Sequence, residues 1–233
     1  MKNTKRRLEF FAPYDYDGMT SHFQQMALDG WLIQGVRGNL WKYKKIQPQK
    51  LNFAVTHFEN FTFNEAAPDN GQNEFMEMCA EYGWQLVAQY QTMMVFVTSD
   101  ENAVPIETDP VVQLKNLHKS VKPILLGKNI AVLFNLIYNV GTRLTDIIKG
   151  KESLSFAYFA TLMAMFVLLN IDTVDYIKWY KKATIMAEEQ GEFYQQKTNK
   201  PIYVLQFVIL WSILAVLLVF VAWLMWIIWE MMI

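Results

Sequence analysis

FQQMALDGWLIQGVRGNLWKY, residues 23–43, has a degenerate echo in FMEMCAEYGWQLVAQYQTMMVF, residues 75–96. In each, an apolar-periodic helix runs into Gly-Trp and then into an apolar strand. Phe23 matches Phe75, Met26 matches Met78, Gly30 matches Gly83, Trp31 matches Trp84 and Tyr43 matches Phe96, with one extra residue in the second helix. A glycine just past the last periodic residue supplies the left-handed conformation that stops a helix, so each Gly-Trp pair marks a helix end and a strand start. The front half is therefore a duplication.

Working outward, residues 6–12 alternate, with Leu8 and Phe10 opposite Arg7 and Glu9, the period-two pattern of a strand that Pro13 ends. Asp15 or Asp17 can cap the first helix, whose apolar line is Met19, Phe23, Met26 and Ala27. After Trp31 the chain reads as one strand bent around Gly35 and Gly38 and resuming as LWKYK. Residues 51–61 alternate most clearly, AAPDNG is a loop, EFMEMCAEYG a second helix, and WQLVAQY with MMVFVT a last bent strand. The order strand, helix, strand, strand, helix, strand predicts an α+β fold. It is a ferredoxin-like domain over residues 1–100, a duplicated βαβ with both helices on one face of an antiparallel sheet.

The acidic, proline-punctuated run SDENAVPIETDP predicts a linker, and residues 101–122 a linker plus juxtamembrane helix with Lys115, Lys119 and Lys122. Residues 123–233 read as an α-helical membrane region of about three spans: 123–142, 154–171 and 201–229. The first holds only Lys128, near enough to its start to snorkel, and is ended before Arg143 and Asp146. Either charge at a helix centre costs roughly 2.5–3.5 kcal/mol on insertion scales. Gln206, a lone polar group in the third span, is expected to hydrogen-bond a neighbouring helix. The segment 172–200 carries Lys178, Lys181, Lys182, Lys197 and Lys200, which places it and the front domain in the cytoplasm and the C-terminus outside. Trp223, Trp226 and Trp229 would then mark the outer interface, and Tyr176, Trp179 and Tyr180 the inner one.

Charge divides with the architecture. Residues 1–110 hold nine Lys or Arg against fourteen Asp or Glu, and the remainder twelve against eight. An acidic front half argues against a nucleic-acid partner, whose affinity rests on cationic neutralisation of phosphates. The single cysteine, Cys79, excludes an intramolecular disulfide and a multi-cysteine zinc site.

No residue set announces a reaction. Asp15-Tyr16-Asp17-Gly18 opens like a calcium loop, but its glycine comes two places early and Met26 stands where a bidentate Glu is required, so a helix cap is the better reading. His22, His57 and His118 share no ligand spacing with one another or with Cys79. His57 ends the core-facing row Leu51, Phe53, Val55, and Cys79 reads as a small core residue. Glu74, Glu77 and Glu81 make a solvated helix face. The expectation is no enzyme, no metal and no cofactor.

The combination FFAPYDYDGM, HFQQMALDGWLI, the aromatic strand and EFMEMCAEYGWQLV resembles the domain of unknown function 2812 family of Gram-positive bacterial membrane proteins, over roughly residues 4–100. YIKWYKKA followed by another long span is similar to the longer members. The resemblance implies proteins often encoded beside PadR-like regulators, with no catalytic residues to carry over. Together these readings suggest a multi-pass membrane-anchored regulatory or interaction protein whose cytoplasmic domain binds a protein or small ligand. The alternative is an accessory subunit of an exporter or envelope-stress system acting through its transmembrane helices. Expected partners are the lipid bilayer, a membrane or cytoplasmic protein, and a second copy of the chain. An interaction surface is expected where the repeats differ, at Arg37, Trp41, Tyr43 and Lys45, and at Trp179 and Tyr180 beside the membrane.

Overall fold

The structure is a computed structural model. It describes residues 3–58, 70–107, 109–150 and 156–232, the side chains of residues 70, 156–157, 213–224, 227–228 and 231–232 excepted. Residues 59–61 of the expected strand and 66–69 of the expected loop lie outside this set, and the loop's last two residues, Asn70 and Gly71, open a helix.

Asp15 caps the first helix, α1 (Tyr16–Leu28), its Oδ1 accepting from the Gly18 amide at 3.0 Å. The predicted apolar line, joined by Tyr16, is the buried face of that helix. Gly30, at φ +81°, stops it. The expected bent strand is instead a hairpin of β2 (Trp31–Arg37) and β3 (Leu40–Lys45). It turns at Gly38, whose φ of +56° suits a residue without Cβ, and Trp41 Nε1 donates across the turn to the Gly38 carbonyl at 3.1 Å. The first strand, β1 (Thr4–Leu8), starts and ends earlier than expected and pairs antiparallel with β3.

The second copy repeats these devices. After β4 (Asn52–His57) and α2 (Asn70–Glu81), Gly83 stops the helix, again at φ +81°, and β5 (Gln85–Tyr90) and β6 (Met93–Thr98) form a second hairpin. Both hairpins carry a register shift at the same place, between Ile33 and Gly35 in the first and Leu86 and Ala88 in the second. The front half is thus two βαββ units with two three-stranded antiparallel sheets, ordered β1-β3-β2 and β4-β6-β5, where one sheet was expected. The sheets touch through β2 and β5, the edge strand of each. The main core gathers α1, the inner residues of β2 and β3 (Ile33, Val36, Trp41, Tyr43), and Phe53, Val55, Val95 and Val97 of the second sheet. Alternate residues of that sheet, Met94 and Phe96, close a smaller cluster with Cys79 and Trp84 under α2.

Three long helices follow. In α3 (Pro110–Ile148), Asp109 caps the start, accepting from the Val111 and Val112 amides, and the helix passes Pro123, Arg143 and Asp146 without ending. The boundary expected at Pro123 is therefore internal to one helix. α4 (Phe156–Ile185) ends in a π-helical turn, Met186–Gln190, and α5 (Lys200–Met232) is helical throughout. Among the described residues, two helices are long and apolar enough to cross a membrane, α3 and the one spanning Tyr158–Gln190.

The first turns of α3, expected as a juxtamembrane helix, pack into the domain. Leu114, Leu117 and Val121 belong to the main core, with Tyr176, Trp179 and Ala183 of α4. Domain and long helices share one apolar interior.

Candidate functional site at the junction of domain and helices

The segment FFAPYDYDG, which runs from beyond the first strand into the first turn of α1, packs the domain against the helices. Its Tyr14 ring stacks on Trp179 at 4.6 Å and 11°, and Tyr16 stacks on Phe193 at 5.2 Å and 5°. Trp179 Nε1 donates to the Tyr194 carbonyl at 3.0 Å, while Tyr176 and Tyr180 stack on His118 of α3. Asp15 serves two elements at once. Its Oδ1 caps α1, and its Oδ2 accepts from the Thr198 amide at 2.8 Å and from the Thr198 hydroxyl at 2.5 Å. Thr198 Oγ1 in turn accepts from the Ala12 amide at 2.8 Å. The loop before α5 is thereby tied to the start of α1, a structural use for the aspartate considered above as a calcium ligand.

Beside this stack lies a cavity of about 280 Å³. The domain lines it with Tyr14, Trp41, His57 and the β5–β6 turn, the helices with Ser120, Val121, Asp172, Tyr176 and Tyr203. Its walls are mainly apolar and aromatic with a few polar groups, the usual make-up of a small-molecule site. His57 is strongly perturbed. Burial alone pushes its pKa down to about 3, so the ring is neutral, and its Nδ1 shares a 2.7 Å hydrogen bond with the Tyr16 hydroxyl. Burial raises Tyr16 well above the usual phenol value and Tyr14 to about 12, the latter opposed by a hydrogen bond with Tyr203. An imidazole so weakly basic is poorly matched to general-base work near neutral pH. It is well suited to donating or accepting one hydrogen bond in an apolar setting.

A polar knot joins the three long helices next to the cavity. Lys128 Nζ reaches Asp172 Oδ1 at 2.5 Å and the Leu169 carbonyl at 3.1 Å. Gln206 Nε2 donates to the Leu168 carbonyl at 2.7 Å and to the same Asp172 oxygen at 3.2 Å. Gln206 thus bonds a neighbouring helix, as its isolation in an apolar run led us to expect. Lys128 pairs with a carboxylate of another helix and so does more than snorkel. Thr173 Oγ1 donates to Asn129 Oδ1 at 3.1 Å one step further along the same helix pair.

The expected interaction surface divides. Arg37 and Lys45 are exposed. Trp41 and Tyr43 are buried on the inner side of their hairpin, Trp41 stacked on Phe11 and Phe23, and Tyr43 sharing a 3.1 Å hydrogen bond with His22 Nε2. Trp179 is buried too, so Trp179 and Tyr176 fill the core where a membrane-interface position was expected. Only Trp41 of the six lines the cavity; Trp179 and Tyr180 form the stack beside it. Reading the sequence missed Tyr14, Tyr16, Ser120, Asp172 and Tyr203. The aromatic density of FFAPYDYDG and an aspartate directly after an apolar run were the available signals. Cys79 is buried, its thiol pushed up to about 11 by burial and the charge of Glu107, which leaves it unreactive. Among the described residues no group of three or more His, Cys, Asp or Glu could hold a metal ion.

Residues 15–127 match the family described as Protein of unknown function (DUF2812), in agreement with the resemblance read from the sequence. No curated protein and no solved structure matches the chain.

Proposed function

We propose that this chain, a protein whose residues 15–127 carry the DUF2812 domain, is a membrane-anchored regulatory protein that binds a small ligand in the junction cavity and passes its occupancy to the long helices. One observation carries the reading: the cavity wall is shared, His57 and Trp41 coming from the domain and Ser120, Asp172 and Tyr203 from α3, α4 and α5. A ligand there touches both parts at once. Asp172 belongs both to that wall and to the Lys128–Gln206 knot, so occupancy has a direct physical route to helix packing.

In this reading α3, α4 and α5 are three spans. Supporting it, α3 leaves Ile130, Phe134, Ile137 and Tyr138 59–71% exposed, apolar surface that water would disfavour and lipid would not. The domain faces the cytoplasm, on the side of the lysine-rich segment 172–200, and the C-terminus lies outside. Each βαββ unit is read as a ferredoxin-like half, which its first-third-second strand order supports. Reporter fusions after Lys151, Gln190 and Ile233 are expected to report outside, inside and outside, and an inside C-terminus sinks the three-span arrangement.

The cavity itself is tested with Ser120→Phe, which fills it from α3. Native mass spectrometry of full-length protein from mild detergent should find a small-molecule adduct on the wild type that the variant lacks. The reading fails if both carry the same adducts or neither carries any. The knot supports a second reading, an accessory subunit of an exporter or envelope-stress system working through its spans. Exchanging the span residues beyond the cavity and the knot for unrelated apolar ones, with the adduct retained, abolishes function only in that case.

A further inference from the structure

On the other side of the Tyr16–His57 pair lies a second cavity, of about 350 Å³, with different chemistry. It is bounded by the start of α1, by β4, by the segment ahead of α3 and by the loop ahead of α5. Three buried side-chain oxygens around it have no hydrogen-bond partner: Thr56 Oγ1, Glu107 Oε2 and Gln195 Oε1. Thr56 is only 2% exposed, so its hydroxyl cannot turn to bulk water. Leaving such groups unpaired is costly, and three of them in one wall, from three separate segments, is the pattern of a site waiting for donors.

The missing partner has a definite character. Glu107 Oε2 and Gln195 Oε1 can be satisfied only by a donor when the carboxyl is ionised, and a hydroxyl oxygen accepts as readily as it donates. The charged residues in the lining are Asp17 and Glu107, both acidic, and among the described residues that lining holds no Lys or Arg. Trp84 and Phe53 add aromatic wall. An ammonium group carries three N–H donors, one positive charge and no acceptor, matching three oxygens in an acidic setting. The volume calls for more than an inorganic ion. We infer that this cavity is a binding site for a small organic amine, its ammonium held by Glu107, Gln195 and Thr56 and its carbon body against the aromatic wall.

The state of Glu107 fits that role. Burial raises its carboxyl above the usual range. The neighbouring Thr56 hydroxyl and the Asn116 amide oppose the shift, Asn116 Nδ2 donating to Glu107 Oε1 at 3.4 Å, while Oε2 has no partner of ordinary hydrogen-bond geometry. An arriving cation favours the ionised carboxylate, so binding should release protons wherever Glu107 was still protonated.

The site is separate from the junction cavity, and the experiment does not depend on that cavity's ligand. Full-length protein in nanodiscs is titrated calorimetrically with n-butylammonium, ethanolammonium and putrescine chlorides, with n-butanol and potassium chloride alongside. At least one amine is expected to bind saturably below 10 mM, with n-butanol and potassium at least tenfold weaker. Glu107→Gln should weaken that amine tenfold or more, and Gln195→Leu, on a loop outside both hydrophobic clusters, several-fold. Near pH 5 the binding heat should vary with buffer ionisation enthalpy in the wild type and not in Glu107→Gln. The inference is overturned if no amine binds folded wild type below 10 mM. It is equally overturned if n-butanol or potassium matches the amines, or if both variants bind as tightly as wild type.

Discussion

The two βαββ units share their local devices and differ in what their helices cover. Gly30 and Gly83 stop the helices at the same φ, and both hairpins shift register at corresponding residues. Yet α1 buries Tyr16, Met19, Phe23, Met26 and Ala27 in the core that also holds α3 and α4, whereas α2 lies over a small cluster of its own around Cys79, Trp84, Met94 and Phe96. Met78, the sequence counterpart of buried Met26, is 42% exposed. The two units share local devices and differ in tertiary placement. The first unit became the bridge to the helices and the second a brace behind it.

The sharpest way to break the comparison is to remove equivalent phenylalanines. Phe23 is 1% exposed and touches Trp41 and Phe53 ring to ring. Phe23→Ala should cost about 3–5 kcal/mol, the usual range for emptying an aromatic from a packed core. Phe75 is only partly buried, against Phe58 and Phe96, and Phe75→Ala should cost less than half as much. Denaturant melts of both variants in the same detergent measure the difference, and equal losses would mean that α1 is no more central than α2.

The helix-stop glycines give the next effect. Both need a left-handed conformation, which costs a residue with Cβ roughly 1–2 kcal/mol. A Cβ on Gly30 would also meet the Ile46 carbonyl at 3.1 Å and Pro48 at 3.4 Å, whereas one on Gly83 meets only Thr98 Oγ1 at 3.9 Å. Gly30→Ala should therefore lower stability by about 1 kcal/mol more than Gly83→Ala, the backbone term being common to both. Thermal melts of the pair test this, and a reversed order would place the tighter packing behind α2.

The exposed β1 and the buried β4 open their units differently, and His57 reports on that. With its pKa lowered from 6.5 to about 3, the folded protein binds fewer protons than the unfolded chain between those values. Its stabilising contribution is complete above pH 6.5 and is lost as pH falls toward 3, with a slope of up to about 1.4 kcal/mol per pH unit. Between pH 6.5 and 5, before most carboxylates titrate, wild type should lose stability and His57→Gln should lose distinctly less. Parallel curves would mean that the ring is not held neutral by burial.

How much of this was legible follows from which forces are local. A cap at Asp15 or Asp17, of which Asp15 serves, Gly30 and Gly83 as stops, and the core row Leu51, Phe53, Val55, His57 rest on residues close in sequence and were legible there. The hairpins were missed because Gly38 signals equally a bend and a turn, and its counterpart Gln91 is not a turn residue at all. The site was mostly illegible: Tyr16 meets His57 across 41 positions, Lys128 meets Asp172 across 44, and Asp15 meets Thr198 across 183. No periodicity encodes those meetings. Trp41 and Tyr43 were expected at a surface because they fall where the repeats differ, and Trp179 because it lies beside an expected span, yet the strand and helix faces carrying them turn inward.

That counterpart supplies the finest test of the duplication. Gln91 sits at φ 54° and Gly38 at φ +56°, so the two hairpins turn alike although only one has the residue suited to it. The first turn uses the glycine, and the second bears strain that its pairing overcomes. Gln91→Gly removes the Cβ conflict but gives the unfolded chain more freedom, two opposing effects of roughly 1–2 and 0.4–1 kcal/mol, so a net gain of about 0.5 kcal/mol is expected. Gly38→Ala runs the exchange backwards, and with open space around its Cβ it should cost about 0.5–1 kcal/mol net, the backbone strain exceeding the gain from a less free unfolded chain. Opposite signs from matched substitutions would confirm that one turn geometry serves both copies. A loss at both positions would mean that Gln91 is held by its side chain, and that the second hairpin keeps its shape for a reason the first does not share.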